Sequence, residues 1–196
     1  MRGQKPELVT APATALLSLS ETKEFLRIDG DDDDALLASL IGAATAKLDG
    51  YQGLVGRALI TQTWRQHFDD FPVGNRLALA FGPAQSVASL SYKDQTGGSA
   101  SFASFHLVDE PIGPVIALED GASWPSTATR PDAVTVEWVA GFGDAPSDVP
   151  ESVRLAGLQL IAHWYANREA VSVGVSVAEL PWAVTQTITA FRAFGG

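Results

Sequence analysis

The chain has 196 residues, 46% hydrophobic and 18% charged, which is enough apolar side chain for one large or two small globular domains. It contains no cysteine, which excludes disulfide bonds, cysteine-ligated metals and cysteine nucleophiles. The formal net charge is -10 and the Lys and Arg residues are scattered singly, so tight binding to DNA phosphates is not expected.

The first seventeen residues are predicted to form a flexible N-terminal arm. They carry two early basic residues and an Ala-rich patch, but Glu7, Pro12 and the shortness of the apolar run do not fit a signal peptide. No apolar run in the chain approaches the roughly 20 residues that a transmembrane helix needs, so no membrane partner is expected.

Two helices are predicted to follow the arm. Ser18 with Glu21 three positions later resembles a capping box and predicts a short helix that ends near Ile28. The carboxylates of Asp31–Asp34 suit the start of a second helix, which is predicted to run to about Leu54. Apolar residues recur along this second helix with i, i+3, i+4, i+7 spacing: Leu37, Leu40, Ile41, Ala44, Leu48 and Tyr51.

From Arg57 to Ala140 the signals are those of β-strands. Short runs rich in β-branched and aromatic residues alternate with turn residues, as in Val87–Tyr92 and the Lys93–Gly98 turn after it. This pattern predicts a small antiparallel sheet or barrel of five or six strands.

The stretch Val149–Ala170 predicts one long helix that is apolar around most of its circumference. It has two stripes on opposite sides: Val153, Ala156, Gly157, Leu160 and Trp164 on one, and Leu155, Leu158, Ala162 and Tyr165 on the other. A helix of this kind is buried on nearly all sides. Either it is the central helix of its own fold, or one of its faces packs on another subunit.

A last helix is predicted from Trp182 to Phe194, with Val184, Ile188 and Phe191 on one face. Helices therefore lie at both ends of the chain and strands lie between them, which indicates an α+β fold. We predict a helical module of about four helices from residues 18–56 and 148–196, with a β module inserted at residues 57–140.

Motifs for catalysis or metal binding are weak throughout. The aspartates from Asp29 to Asp34 lack the Gly and Glu positions of a calcium loop and are interpreted as a solvated helix start. His67, His106 and His163 show no metal-binding spacing, and no GxSxG motif occurs. We therefore assign no catalytic, cofactor-binding or metal-ligating residue, and expect neither enzymatic activity nor a cofactor.

Several segments together resemble the head–tail connector, or adaptor, family of long-tailed bacteriophages and phage-derived gene transfer agents. Their order along the chain carries the resemblance: LSETKEFLRI at 19–28, GRALITQTW at 56–64, GPAQSV at 82–87, AGFG at 140–143, Val149-Pro150, HWYANRE at 163–169 and Leu180-Pro181.

The resemblance implies a structural protein without catalytic residues. Such proteins form a ring, usually of twelve subunits, beneath the portal of a filled head. The implied partners are other copies of the chain, the portal, a stopper or tail-completion protein, and DNA that passes through a central channel without specific binding. The implied location is the neck of a virion or gene transfer agent particle, assembled in the bacterial cytoplasm.

Eight residues are predicted to lie at a subunit or portal interface, where aromatic residues and Arg are enriched: Leu155, Leu158, Trp164, Tyr165, Arg168, Trp182, Phe191 and Phe194. We hypothesise that the aromatic residues of the last helix and the residues after it dock on the portal.

Three alternatives stay open at the level of sequence. One is a stopper or tail-completion protein of the same particle. Another is a monomeric β domain that binds a small molecule or glycan in an aromatic pocket built from Trp64, Trp124 and Trp138. A hydrolase is the third, supported only by the presence of Ser, His and Asp.

Overall fold

The computed structural model describes residues 1–110, 113–167 and 182–191. The chain divides into two compact units: Met1–Ala13 with Thr61–Phe142, and Thr14–Ile60 with the described residues of Gly143–Arg192. We call them the β unit and the helical unit. The division into a helical module and an inserted β module with the bounds given above stays a prediction.

The β unit contains eight described strands in two antiparallel sheets. Their bounds are β1 Glu7–Thr10, β2 Gln62–Phe68, β3 Arg76–Ala78, β4 Ala84–Lys93, β5 Ser99–Ser101, β6 Phe105–Glu110, β7 Gly113–Leu118 and β8 Val134–Ala140. One sheet has the order β1-β2-β8-β4-β5 and the other β3-β7-β6. The described part of residues 57–140 thus holds seven strands rather than five or six. The strand β5 was not predicted, because its sequence Ser-Ala-Ser shows no apolar alternation.

The N-terminal segment was predicted to be a flexible arm, whereas the structure pairs most of it with β2. Glu7 lies opposite Arg65 in an antiparallel ladder, and the Gln4 N–H donates to the His67 carbonyl at 2.8 Å. Backbone hydrogen bonds to an existing strand therefore hold this segment extended.

Crossed aromatic rings form the core of the β unit. Trp64 and Trp138 face each other across β2 and β8, and both are buried. The Phe81 ring meets Trp64 edge-on with centroids 4.8 Å apart, and it lies 5.7 Å from Trp138 in the same kind of contact. Edge-to-face packing is a favoured geometry for such rings.

The helical unit contains α1 Leu19–Leu26, α2 Asp34–Leu48, α3 Glu151–Ala166 and α4 Trp182–Phe191, with a short 3-10 turn at Pro146–Asp148. Four helices and two antiparallel sheets confirm the predicted α+β class. None of the described helices is long and apolar enough to cross a membrane.

The second helix ends at Leu48, six residues before the predicted end. There the Asp49 carboxylate accepts a hydrogen bond from the Leu59 N–H at 2.7 Å, and Gly50 adopts a positive φ of 77°. Both features turn the chain away from the helix axis. Tyr51 therefore lies outside the helix and is exposed, so its prediction as part of the buried stripe is wrong.

The first apolar stripe of α3 packs against other residues of the helical unit. Val153, Ala156, Gly157 and Leu160, on the first stripe, are buried within the helical unit. A Cβ atom built on Gly157 would lie 3.0 Å from Leu17 Cδ1 and 3.4 Å from Leu48 Cδ1. The first stripe therefore packs directly on these two leucines.

The last helix, α4, packs into the same unit. Val184 and Ile188 are buried, while Phe191 is half-buried. The Arg57 Nε donates to the Phe191 carbonyl at 2.9 Å, and a cation suits the negative end of a helix dipole. Trp182 lies in α4 with its side chain outside the described part, and Arg168 and Phe194 lie outside the described residues.

We expect Gly157→Val to lower the free energy of unfolding by about 1–3 kcal/mol, because the added methyl groups overpack the contact with Leu17 and Leu48. Gly42→Val is the matched control, since Gly42 is exposed on α2 and a Cβ there meets nothing within 4 Å. Urea unfolding followed by the helical circular dichroism signal measures both. Equal stabilities of the two variants would contradict the packing described here.

Candidate assembly surface

The start of α1 is joined to α3 by one glutamate. The Ser18 Oγ accepts the Glu21 N–H at 3.1 Å, as predicted for an N-cap. The Glu21 carboxylate does not return to the Ser18 N–H as a capping box requires, but accepts a hydrogen bond from the Arg154 guanidinium of α3. Only half of the predicted capping box is present, and the other half is replaced by an ion pair between helices.

A groove of about 360 Å³ lies beside this ion pair. Six residues line it: Glu21, Glu151, Ser152, Arg154, Leu155 and Leu158. We call it the α1–α3 groove. Leu155 is 43% exposed in this groove, whereas Leu158 is buried. On α1, one turn after Glu21, Phe25 is 41% exposed. Two large apolar side chains are therefore open to solvent on the two helices that form the groove.

Arg154 also carries an unused hydrogen-bond donor. Its Nη2 binds Glu21, but its Nε is buried and has no acceptor among the residues that the structure describes. Buried donors in native proteins nearly always have a partner, since an unpaired one is costly. The α1–α3 groove thus combines exposed apolar surface with an unsatisfied polar atom at its edge.

The aspartates at the start of α2 bind side chains of two other helices. The Lys23 Nζ lies 2.6 Å from Asp31 Oδ1 and 2.8 Å from Asp34 Oδ1, and the Tyr165 hydroxyl donates to the Asp33 carboxylate. Asp33 occupies the N-cap position without a capping bond from its side chain. These carboxylates connect α1 and α3 to the start of α2.

The same contacts shift two pKa values. The hydrogen bond from Lys23 lowers the pKa of Asp31, and the hydrogen bonds to Asp31 and Asp34 raise the pKa of Lys23. Both changes favour the charged forms of Lys23 and Asp31.

The predicted interface residues fall in several places. Leu155 and Leu158 lie together in the α1–α3 groove, while Tyr165 is engaged with Asp33. Trp164 on α3 and Phe191 on α4 are half-buried. Glu21, Arg154 and Phe25 were not among the predicted interface residues, although Glu21 and Phe25 are spaced i, i+4 and so share one face of α1.

Of the three tryptophans considered above for an aromatic pocket, two are buried in the β unit. Trp64 and Trp138 are in the core, and Trp124 stacks on Phe71 with ring centroids 4.7 Å apart. A groove of about 950 Å³ in this unit is lined by residues 1–5, 69–70 and 127–131, none of them aromatic. Trp64 and Trp138 are therefore not exposed for a ligand to stack on.

Titratable residues likewise form no centre for metal-dependent chemistry in the described ranges. No group of three or more His, Asp or Glu side chains is placed there to hold a metal ion. His67 Nδ1 is hydrogen-bonded to the Thr135 hydroxyl at 2.9 Å, within the sheet.

Residues 17–93 match the family model described as phage gp6-like head-tail connector protein. The resemblance to the head–tail connector family predicted from the sequence is therefore confirmed.

Solved structures extend the similarity to almost the whole chain. A chain from the neck of an empty gene transfer agent particle, computed with C6 symmetry, has 26% sequence identity and a TM-score of 0.78. A chain from the virion of a native gene transfer agent particle has 26% identity and a TM-score of 0.77. Each match covers 98% of this chain and 97% of the other.

A third chain, from the neck of a native particle computed with C12 symmetry, shares the fold with a TM-score of 0.71 at 23% identity, again over 98% of this chain and 97% of the other. No curated protein sequence matches the chain.

The ion pair between Lys23 and Asp31 makes the free energy of unfolding depend on pH. The pKa of Asp31 is lower in the folded state than its ordinary value of 3.8. Its contribution to the free energy of unfolding is therefore present above pH 3.8 and is lost as pH falls through the folded pKa. Because the folded pKa of Lys23 is raised, its contribution is present below 10.5 and is lost as pH rises through the folded pKa.

We therefore expect the stability difference between wild type and Lys23→Met to be largest at roughly pH 5–9 and to narrow at both extremes. Urea unfolding at a series of pH values measures it. Lys47→Met, at an exposed position of α2, is the control and should show a small difference at every pH. A Lys23→Met difference that does not vary with pH would contradict the assignment.

Proposed function

We propose that this chain is the head–tail adaptor of a phage-type or gene transfer agent particle, a structural and non-enzymatic neck protein. Copies form a ring of twelve between the portal and the stopper or tail, and the ring is assembled in the bacterial cytoplasm. The observation that carries this proposal is the similarity, over 98% of the chain, to chains of gene transfer agent particles, one of them from a neck. The connector family match at residues 17–93 supports it independently.

The net charge of the chain is compatible with the inner surface of a channel through which DNA moves. A net charge of -10 with scattered basic residues provides no patch that would hold phosphates by counterion release. We propose that DNA passes through the centre of the ring without specific contacts.

We propose that the α1–α3 groove is a subunit contact. A cyclic ring uses a heterologous interface, in which one surface of a copy meets a different surface of the next. Leu155 and Phe25 supply exposed apolar area for such a contact, and the buried Arg154 Nε requires an acceptor. A neighbouring copy that covers the groove would bury this apolar area, and an oxygen atom of that copy would accept the hydrogen bond from Arg154 Nε.

Leu155→Asp tests the subunit contact. Burial of an unpaired carboxylate costs more than about 1.4 kcal/mol, so ring formation should need at least tenfold more protein. Ala46→Asp places the same charge at an exposed position of α2 and is the matched control. Native mass spectrometry with and without the portal gives the assembly state.

Rings formed equally well by wild type and Leu155→Asp would exclude the groove as a subunit contact. A wild-type chain that stays monomeric even with the portal would contradict the adaptor function itself.

The second proposed contact is with the portal, through Trp182, Phe191 and Phe194. Val184 and Ile188 of α4 are buried, so a truncation before α4 would also remove part of the core. Point substitutions are therefore the better test.

We expect Phe194→Asp to weaken portal binding by about tenfold or more, because a charge replaces an aromatic anchor. Gln186→Asp, at an exposed position of α4, is the control and should bind as wild type does. Binding measured by biolayer interferometry decides between them, and unchanged affinity of Phe194→Asp would overturn this contact.

A further inference from the structure

The five-stranded sheet of the β unit has an exposed strand at one edge. All four residues of β1 are exposed, including Leu8 at 47% and Val9 at 42%. Successive side chains of a strand point to opposite faces, so β1 is uncovered on both of its faces. A strand that buries so little within its own chain is well placed to pair with another chain.

The opposite side of the sheet has a longer unpaired edge. β4 spans ten residues, but β5 pairs with it only at Ser91–Lys93, followed by the Phe102 N–H bond to the Leu90 carbonyl. From Ala84 to Ser89 no described strand pairs with this edge. We call residues 84–89 the open β4 edge.

The composition of the open β4 edge does not discourage strand addition. Proteins commonly protect such edges with Lys, Pro or inward-pointing charges. Residues 84–89 are Ala-Gln-Ser-Val-Ala-Ser, without a charge or a proline, and four of the six are exposed. Two bulges in the pairing with β8 bend the strand but leave its outer side unpaired by the described residues.

The strand directions of the two edges are complementary. Each step from β1 through β2 and β8 to β4 is antiparallel, so β1 and β4 run in opposite directions. A second copy that places its β1 beside the open β4 edge continues the antiparallel alternation of the sheet. Four residues of β1 fit within the six-residue edge.

We propose that β1 of one copy adds to the open β4 edge of the next copy, so that the β units of the ring join through backbone hydrogen bonds. The inference rests on the proposed ring, because a cyclic ring needs two different edges that meet. A symmetric dimer would instead pair β1 with β1.

Disulfide trapping tests this pairing, because the natural chain contains no cysteine. Facing residues of antiparallel strands have Cα atoms about 4.5–5.5 Å apart, within the roughly 4.4–6.8 Å that a disulfide spans. The double variants combine Leu8→Cys or Val9→Cys with Ser86→Cys or Ala88→Cys. Each is assembled on the portal, oxidised and analysed by non-reducing electrophoresis, and native mass spectrometry reports ring formation in the same sample.

We expect covalent ladders of several copies from the double variants whose two cysteines share a face of the joined sheet. The single variants should give monomers, and Val9→Cys paired with Ser147→Cys, an exposed position of the helical unit, is the matched control. Rings without covalent ladders in any double variant would overturn the strand pairing and leave the adaptor function standing. Dimers from Leu8→Cys or Val9→Cys alone would overturn it in favour of β1–β1 pairing. The absence of rings in wild type would overturn both.

Discussion

The close approach of α3 to Leu17 and Leu48 is the contact on which the helical unit depends. Gly157 permits it, because a Cβ atom at that position would crowd Leu17 and already touch Leu48. Burial of the first stripe of α3 at this contact provides the apolar core of the unit. The second stripe lies on the other side of the helix, and there Leu155 reaches the surface.

Polar contacts fix how the helices of this unit meet. Glu21 pairs with Arg154 and thereby links α1 to α3, while Lys23 and Tyr165 bind the aspartates at the start of α2. Part-buried pairs of this kind add orientation more than net stability, because desolvation offsets much of the attraction. The pair between Glu21 and Arg154 places the side chains of Arg154 and Leu155 at the α1–α3 groove.

Local patterns in the sequence predicted the α+β class and the existence of the helices, because apolar periodicity reflects which face of an element is buried. Where α2 ends depends on a bond from the Asp49 carboxylate to the Leu59 N–H, a contact that no periodicity contains. The strand β1 was missed for a related reason. All of its residues are exposed, so it lacks alternation, and its partner β2 lies more than fifty residues later in the chain.

The candidate groove was predictable only in its α3 half. Leu155 and Leu158 were indicated by the second stripe, since an excess of apolar surface is visible from helical spacing alone. Glu21 contacts the groove because it pairs with Arg154, which is 133 positions away. Such a pairing is a property of the tertiary structure, and an isolated sequence does not contain a signal for it.

The link between Arg57 and the Phe191 carbonyl has a consequence for the timing of folding. Segments before β2 and after β8 both contribute to the helical unit, so its core is incomplete until Val184 and Ile188 have left the ribosome. Strands β2 to β8 are synthesised earlier and find their partners among residues already made. Surfaces of the helical unit therefore reach their final form only after α4 has been synthesised.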